Sequence, residues 1–202
     1  MRKTRQSVYT IIHPLFLRVL RASVVIILFV SASRVCAERF LTVEEARRVC
    51  FPKAESFEAV SLKLRAEEVK AIERESKVKL RKREVNWWIA KPGGVLMVDQ
   101  VIGKHDFIDY AVAISTNGTV LQVEILEYRE HYGGQVRQPK WREQFRGKTA
   151  RDSLKLGNDI YNITGATLSC RHVTEGVKRL LATFELVVRP RLLPGGGVRA
   201  PE

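Results

Sequence analysis

The sequence predicts an α+β fold, an antiparallel sheet with flanking helices in a single domain that follows a signal peptide. Strand-like segments follow one another closely over residues 85–126, and Asn117-Gly118 separates two of them, as in a tight hairpin. Over residues 173–184 the apolar side chains recur at helical spacing, which predicts a long amphipathic helix. The chain has 202 residues, 45% hydrophobic and 28% charged, which is enough for one domain with a core and excludes a disordered polymer.

The first 37 residues predict export. A basic start leads into an apolar run of about eleven residues (23–33), too short to span a bilayer, which takes about 20 residues. Val35 and Ala37 are small residues suited to a cut before Glu38. The alternative is an uncleaved membrane anchor in which the apolar run extends across Arg21. Either way we expect a periplasmic or otherwise extracytoplasmic protein.

The formal charge of +13 does not by itself indicate nucleic-acid binding. Residues 1–37 contain six basic and no acidic side chains, so 29 basic and 22 acidic side chains remain in the rest of the chain. No nucleic-acid partner is therefore expected. The basic residues cluster once, at residues 77–83 (KVKLRKR), which we interpret as a solvated edge strand. The alternative is a docking patch for an acidic redox partner or an anionic membrane surface.

The patterns that would indicate metal or nucleophile chemistry do not occur. The four histidines lack metal-ligand spacing, and the chain has neither a G-x-S-x-G nor a C-x-x-C motif. We therefore predict no catalytic residue and no metal site. After signal cleavage Cys50 and Cys170 remain, and in an oxidising compartment they either pair or stay buried.

The exported chain is predicted to have three segments. Residues 38–94 form an N-terminal helical and strand segment, which begins with a capping-box pattern at Thr42 and Glu45. Residues 95–186 hold the strand-rich block, a short helix near residues 139–146, an irregular stretch and the long helix. Residues 187–202 contain prolines and a run of three glycines, which predicts a disordered tail.

A turn of small residues, Thr164-Gly165-Ala166-Thr167-Leu168-Ser169, immediately precedes and opens the long helix. The N-terminus of a helix attracts anions, because its backbone N–H groups are free and its dipole is positive there. Gly165 and Ala166 would let a ligand approach the backbone closely. The alternative is ordinary N-capping by Thr167 or Ser169.

Ile163-Thr164-Gly165-Ala166-Thr167 before an amphipathic helix resembles the [ST]-G-A-T signature of the exported FMN-binding domain family. This family includes the flavin-carrying subunits of sodium-pumping NADH:quinone reductase and of the Rnf complex. The resemblance covers about residues 95–185, because the antiparallel block, the Glu and Gly-Gly loop and the final helix come in the same order. It implies FMN as cofactor and a flavin transferase that joins the FMN phosphate to the hydroxyl of Thr167.

The resemblance also implies which residues contact the flavin. The cofactor-binding candidates are Thr164, Gly165, Ala166, Thr167, Leu168 and Ser169 in the motif, with Glu130, Tyr132, Gly133 and Gly134 in the loop. Candidates to line the flavin ring are Tyr128, His131, Tyr132 and Trp141. One position departs from the fuller pattern D-x-x-[ST]-G-A-T, since Tyr161 stands where the aspartate is expected and Asp159 lies two residues earlier. A transferase that reads this aspartate would modify Thr167 poorly, and FMN would then bind without a covalent bond.

The resemblance therefore implies an exported electron carrier that holds FMN, as phosphothreonyl-FMN at Thr167, for a membrane or periplasmic redox partner. Two alternatives stay open. The first is an accessory or ligand-binding module without flavin, favoured by Tyr161. The second is a stand-alone reductase, which would need an open pocket over the flavin ring.

Overall fold

The computed structural model describes residues 38–130 and 132–192. The predicted signal peptide, its alternative as an anchor, His131 and the last ten residues of the predicted tail lie outside this described part. Among the described residues, no helix has the length and apolar character needed to cross a membrane.

The described chain alternates short helices with strands and ends in a long helix. The strands are β1 (Glu38–Arg39), β2 (Ser56–Lys63), β3 (Glu84–Lys91), β4 (Gly94–Ile102), β5 (Phe107–Ser115) and β6 (Val120–Tyr128). The helices are α1 (Val43–Cys50), α2 (Ala66–Ser76), α3 (Pro139–Arg142), α4 (Thr167–Thr183) and α5 (Arg189–Leu192). Short 3-10 turns flank α3 at Gly134–Arg137 and Glu143–Phe145, and a π-helical turn at Phe184–Val188 joins α4 to α5.

The strands form one antiparallel sheet in the order β1-β6-β5-β4-β3-β2. This confirms the predicted α+β class with an antiparallel sheet in one domain. Strands β4 and β5 pair over their whole length, from Gly94 opposite Ser115 to Ile102 opposite Phe107. Their hairpin turn and the end of β6 therefore lie at the same edge of the sheet, since Tyr128 is opposite Ile108.

Both faces of the sheet are covered. Alternate residues along a strand point to opposite faces, so Val95 and Met97 pack with α2 and α4 while Leu96 packs with α1. Because the central strands are buried on both sides, their sequences are nearly continuous apolar runs. Helix α1 has the predicted capping box, with reciprocal hydrogen bonds between Thr42 and Glu45.

The turn predicted at Asn117-Gly118 differs in detail. A tight turn at Asn117-Gly118 would need positive φ at both residues, but only Gly118 has it, at 89°. The loop is longer, and the N–H of Gly118 donates to the carbonyl of Ser115 at 3.0 Å. Pro92-Gly93 connects β3 to β4, and the peptide bond between Lys91 and Pro92 is cis. A side chain at Gly94 would overlap the Ile114 carbonyl, so close strand packing explains this glycine.

The predicted tail and the predicted edge strand differ from the structure. Residues 38–94, predicted as a helical and strand segment, supply β1, β2 and β3 to the same sheet as the rest of the domain. The long helix, predicted from the apolar pattern over residues 173–184, continues through the π-helical turn to Leu192, since Val187 and Val188 are buried against the core. Residues 187–192 are therefore helical, in contrast to the predicted disordered tail. The basic run at residues 77–83 is a loop between α2 and β3 and not an edge strand.

The two cysteines of the described chain are unpaired. Cys50 packs in the cluster beneath α1, whereas Cys170 packs in the cluster beneath α4, on the opposite face of the sheet. Burial, with the charge of Glu124 next in importance, raises the pKa of Cys50 to about 12. Of the two alternatives stated for this pair, burial without pairing is the one observed.

Candidate functional site

Three segments meet at one edge of the sheet and enclose a cavity of about 330 Å³. They are the β4–β5 turn (residues 103–106), the segment that follows β6 (residues 130–134) and the start of α4. The cavity is lined by Lys104, His105, Glu130, Tyr132, Gly165, Ala166, Thr167, Leu168 and Ser169. The structure thus brings seven of the ten predicted cofactor-binding residues together, although they come from two distant parts of the sequence.

The start of α4 leaves backbone donors free. Ala166 is the N-cap residue and makes no side-chain capping bond, and Thr167 is the first helical residue. No hydrogen bond joins the N–H groups of Thr167, Leu168 and Ser169 to another group of the described chain. The capping alternative for Thr167 and Ser169 is therefore wrong. The first turn of α4 presents unpaired N–H groups and the positive end of the helix dipole, which suit an anion.

Gly165 keeps the approach to this helix end open. Its φ is +84°, a value that favours glycine, and a Cβ atom built at this position would have no atom within 4 Å. The backbone at Gly165 therefore faces open space and not another part of the protein. A ligand can reach the first turn of α4 from this side.

The two threonines of the motif have different surroundings. Thr167 lines the cavity, is half-buried and accepts a hydrogen bond from the side-chain amide of Asn162 at 3.0 Å. Because this bond occupies a lone pair of Oγ1, the hydroxyl hydrogen stays available. Thr164 is exposed and does not line the cavity. Of the two hydroxyls, only that of Thr167 combines access to the cavity with a position in the helix.

A chain of hydrogen bonds fixes the loop after β6 to α4. The Tyr128 hydroxyl donates to the Tyr132 carbonyl at 2.5 Å, so its contact with Ser169 Oγ at 3.0 Å is donated by the serine. Burial raises the pKa of Tyr128, which keeps this donor protonated. Gly133 lies against both hydroxyls, because a Cβ atom there would be 2.7 Å from Tyr128 Oη and 2.8 Å from Ser169 Oγ. The loop reaches α4 this closely only because residue 133 has no side chain.

Glu130 holds the β4–β5 turn in place. Its Oε1 atom accepts hydrogen bonds from the N–H groups of His105 at 2.5 Å and Asp106 at 3.0 Å. Burial alone would raise the pKa of Glu130, but these backbone hydrogen bonds outweigh it and lower the pKa below the ordinary value. On the other side of the turn, His172 Nδ1 lies 3.0 Å from the Gly103 carbonyl, which can only accept, so this nitrogen carries the hydrogen. The turn is thus tied to both other walls of the cavity.

Comparison with known proteins identifies this region. Residues 103–182, which contain all three walls, match the sequence model of the FMN-binding domain family. This part of the chain is an FMN-binding domain. FMN is its cofactor, and the chain is a flavoprotein.

The chain is also similar to one subunit of the Na⁺-translocating ferredoxin:NAD⁺ oxidoreductase complex of Acetobacterium woodii. The identity is 26% over 171 residues, which cover 78% of this chain and 81% of the relative.

The residues of the cavity fit the phosphate end of FMN. The phosphate is an anion, and the structure offers free N–H groups at the start of α4, open space over Gly165 and the ammonium group of Lys104 in the cavity wall. Charge and donor set agree with an anionic group close to Thr167. The fit rests on this chemistry alone.

Sequence reasoning missed one wall of the cavity. The motifs do not identify Lys104 or His105 as site residues. The spacing of the histidines was informative only about metal binding. The signal was present, because Gly103 begins a turn between two strongly strand-like segments, and a lysine in such a turn suits a phosphate ligand. A side chain at Gly103 would overlap Glu130 Oε1 at 2.5 Å, which shows how tightly the turn and Glu130 pack.

Two ring-lining candidates of the FMN-binding domain lie elsewhere. Trp141 is buried in the core, packs edge-to-face on Phe145 at 5.2 Å and donates its indole N–H to the Tyr161 carbonyl. Tyr128 is buried below the cavity and does not line it. Tyr132, in contrast, is 83% exposed at the cavity wall. His131 lies outside the described residues.

Tyr161 stands at the position where the family pattern has an aspartate. Tyr161 has an exposed side chain, and its backbone is bound through its N–H to Gln144 Oε1 at 2.6 Å. Asp159, two residues earlier, accepts hydrogen bonds from Ser153 Oγ and from the N–H groups of Leu154 and Lys155. Asn162 is the polar side chain that contacts Thr167 from this stretch.

A second cleft, of about 610 Å³, lies on the other side of the Tyr132–Gly134 segment. It contains Gly133 and Gly134, two of the predicted site residues that do not line the first cavity. Its floor holds an ion pair between Arg142 and the buried Glu124, and the Arg137 guanidinium lies 4.1 Å from the ring centroid of Phe40. Tyr132 lines both clefts.

Proposed function

We propose that this protein is an exported electron carrier that holds FMN at the start of α4, joined to Thr167 by a phosphoester bond. The observation that carries this proposal is the position of the Thr167 hydroxyl. It lies in the wall of the cavity, on the first residue of a helix whose first-turn N–H groups are free. The family match to FMN-binding domains supports the same assignment.

The residues of α4 hold the phosphate. A phosphodiester at Thr167 keeps one negative charge, which the N–H groups of Thr167, Leu168 and Ser169 and the helix dipole stabilise. Lys104 adds a positive charge from the opposite wall. The open backbone of Gly165 leaves room for the phosphate oxygens. A covalent bond also prevents loss of the cofactor in a compartment that has no pool of free flavin.

The remaining residues of the cavity shape the surroundings of the ring. Bound FMN accepts and releases one or two electrons. Glu130 fixes the turn that carries Lys104 and His105, and the Tyr128–Ser169 hydrogen bond fixes the loop that carries Tyr132. Tyr132 and Leu168 are exposed side chains at the cavity, and we propose that they shield the ring from water while leaving one edge accessible.

We propose a membrane redox complex as the source or the recipient of the electrons. The relative from Acetobacterium woodii is named as part of a Na⁺-translocating ferredoxin:NAD⁺ oxidoreductase complex. The export signal at residues 1–37 supports an extracytoplasmic location for the flavin. N-terminal sequencing of protein recovered from the exported fraction tests this part. A start at Glu38 agrees with a cleaved signal peptide, whereas a start at Met1 indicates an uncleaved anchor.

The experiment that tests flavin attachment is mass measurement after co-expression with an exported flavin transferase. The intact protein should gain the mass of one FMN less water, and the yellow colour should stay with the protein after denaturation. If FMN is released on denaturation, the flavin is bound without a covalent bond. If no flavin is present in either the native or the denatured sample, the accessory-module alternative is correct.

A further inference from the structure

The loop between α2 and β3 carries an unusual concentration of positive charge. Residues 77–83, called here the basic loop, contain Lys77, Lys79, Arg81, Lys82 and Arg83, and all five side chains are exposed. In the part of the chain that the structure describes, none of the five forms an ion pair, whereas most arginines of the domain are paired with carboxylates. The charges of this loop are therefore available to a partner.

The basic loop is held from behind by hydrogen bonds to its backbone. Glu73 Oε1 accepts from the N–H of Leu80 at 2.8 Å, and Arg179 Nη1 donates to the Lys79 carbonyl at 3.5 Å. Arg179 is itself buried and bound to Asp99 Oδ2. Val78 and Leu80 are half-buried, and Leu80 packs against the core. The apolar residues thus point inward while the basic residues point outward.

We propose that the basic loop binds the headgroups of anionic phospholipids. A cluster of four to eight Lys and Arg residues is the usual feature of such binding. A protein interface is less suited to this surface, because the buried centre of such an interface is enriched in aromatic residues and depleted of lysine. The basic loop has three lysines, no aromatic residue and no exposed aliphatic side chain.

The basic loop and the candidate cavity are separate features of the domain. Arg179, which supports the loop, follows Thr167 by twelve residues in the same helix, which corresponds to about 18 Å along the axis. The proposal concerns charge at the surface and does not depend on the flavin, so it can fail or succeed separately from the proposed function.

Vesicle flotation of the full-length chain tests the proposal. The probes are vesicles of phosphatidylcholine alone and of phosphatidylcholine mixed with phosphatidylglycerol. Residues 1–37 contain six basic side chains and add the same anionic preference to every variant, so the comparison between variants reports on the basic loop alone. The variant Lys79→Gln, Arg81→Gln, Lys82→Gln, Arg83→Gln should lower the preference for anionic vesicles by up to about 1,000-fold, since each basic residue at the surface contributes somewhat less than a factor of about ten. The preference of the wild-type protein should also fall steeply with added salt.

A matched control removes the same charge elsewhere. Lys53, Lys140, Arg151 and Lys155 are exposed and form no ion pair within the described residues, so their replacement by glutamine gives the same net charge. This control should keep most of the preference. Equal loss in both variants, or no loss in the basic-loop variant, overturns the proposal. A variant in which each Lys of the loop is replaced by Arg and each Arg by Lys should keep the preference for anionic vesicles. This result would show that the loss in the glutamine variant is due to charge and not to misfolding.

Discussion

At the scale of single residues, the two threonines of the motif provide a direct test. Thr167→Val replaces the hydroxyl with a methyl group at nearly constant volume, so it should abolish covalent flavin. The hydroxyl does not cap the helix and loses only a hydrogen bond from Asn162, so the cost in stability should be about 1 kcal/mol or less. We expect a folded protein that releases all its flavin on denaturation.

Thr164→Val is the matched control, because Thr164 is exposed and lies outside the cavity lining. It should keep denaturation-resistant flavin, measured by intact mass. Attachment in Thr167→Val, or its loss in Thr164→Val alone, would move the acceptor to Thr164. If the wild-type protein itself gains no FMN mass, Tyr161→Asp should restore attachment, provided that the transferase reads this position.

Gly133 tests how closely the loop must approach α4. In Gly133→Ala the residue keeps a φ of +88°, which costs an L-residue about 1–2 kcal/mol, and its Cβ also overlaps the hydroxyls of Tyr128 and Ser169. Gly147→Ala has the same backbone cost, with φ at +80°, but no atom within 4 Å of the new Cβ. Urea unfolding should show that Gly133→Ala loses at least about 1 kcal/mol more than Gly147→Ala. Equal losses would mean that the loop moves away from α4 without cost.

At the scale of elements, Glu130 links β6 to the β4–β5 turn and makes the stability of this corner depend on pH. Its pKa is lower in the folded protein than its ordinary value of 4.5, so the folded state favours the charged carboxylate. The stabilisation is therefore complete above that value and is lost as the pH falls through the folded pKa. Glu130→Gln keeps an acceptor oxygen but does not titrate. On acidification below pH 4.5, the urea midpoint of this variant should change less than that of the wild-type protein. Identical profiles of urea midpoint against pH would exclude Glu130 as the source of the pH dependence.

Much of the element structure was predictable because it depends on local patterns. The capping box at Thr42, the strands around the Gly118 loop and the apolar face of α4 all follow from residues close in sequence. The π-helical turn was not predictable, since it follows from the burial of Val187 and Val188 against the core. The β4–β5 turn itself was recognisable in the sequence. Its role as a wall of the cavity was not, because only the folded sheet brings this turn to the start of α4.

At the scale of the whole molecule, the FMN-binding domain depends on strands that the family match does not include. Strand β3 pairs with β4 from Asn86 to Ala90, and Trp87 is buried in the main core. A fragment of residues 95–186, the domain predicted from the sequence, would expose the edge of β4 and lose Trp87. We expect this fragment to lack a cooperative urea transition, whereas residues 38–192 should show one. Cooperative unfolding of the shorter fragment would mean that β1, β2 and β3 are dispensable.

The two unpaired cysteines have a practical consequence. Cys50 and Cys170 lie on opposite faces of the sheet, so the described chain contains no covalent bond whose formation depends on an oxidising compartment. Burial raises the pKa of both thiols, which also protects them from oxidation and exchange. Residues 38–202 produced in a reducing cytoplasm should therefore fold as they do after export. Flavin attachment can then be reconstituted with purified transferase and followed separately from transport across a membrane.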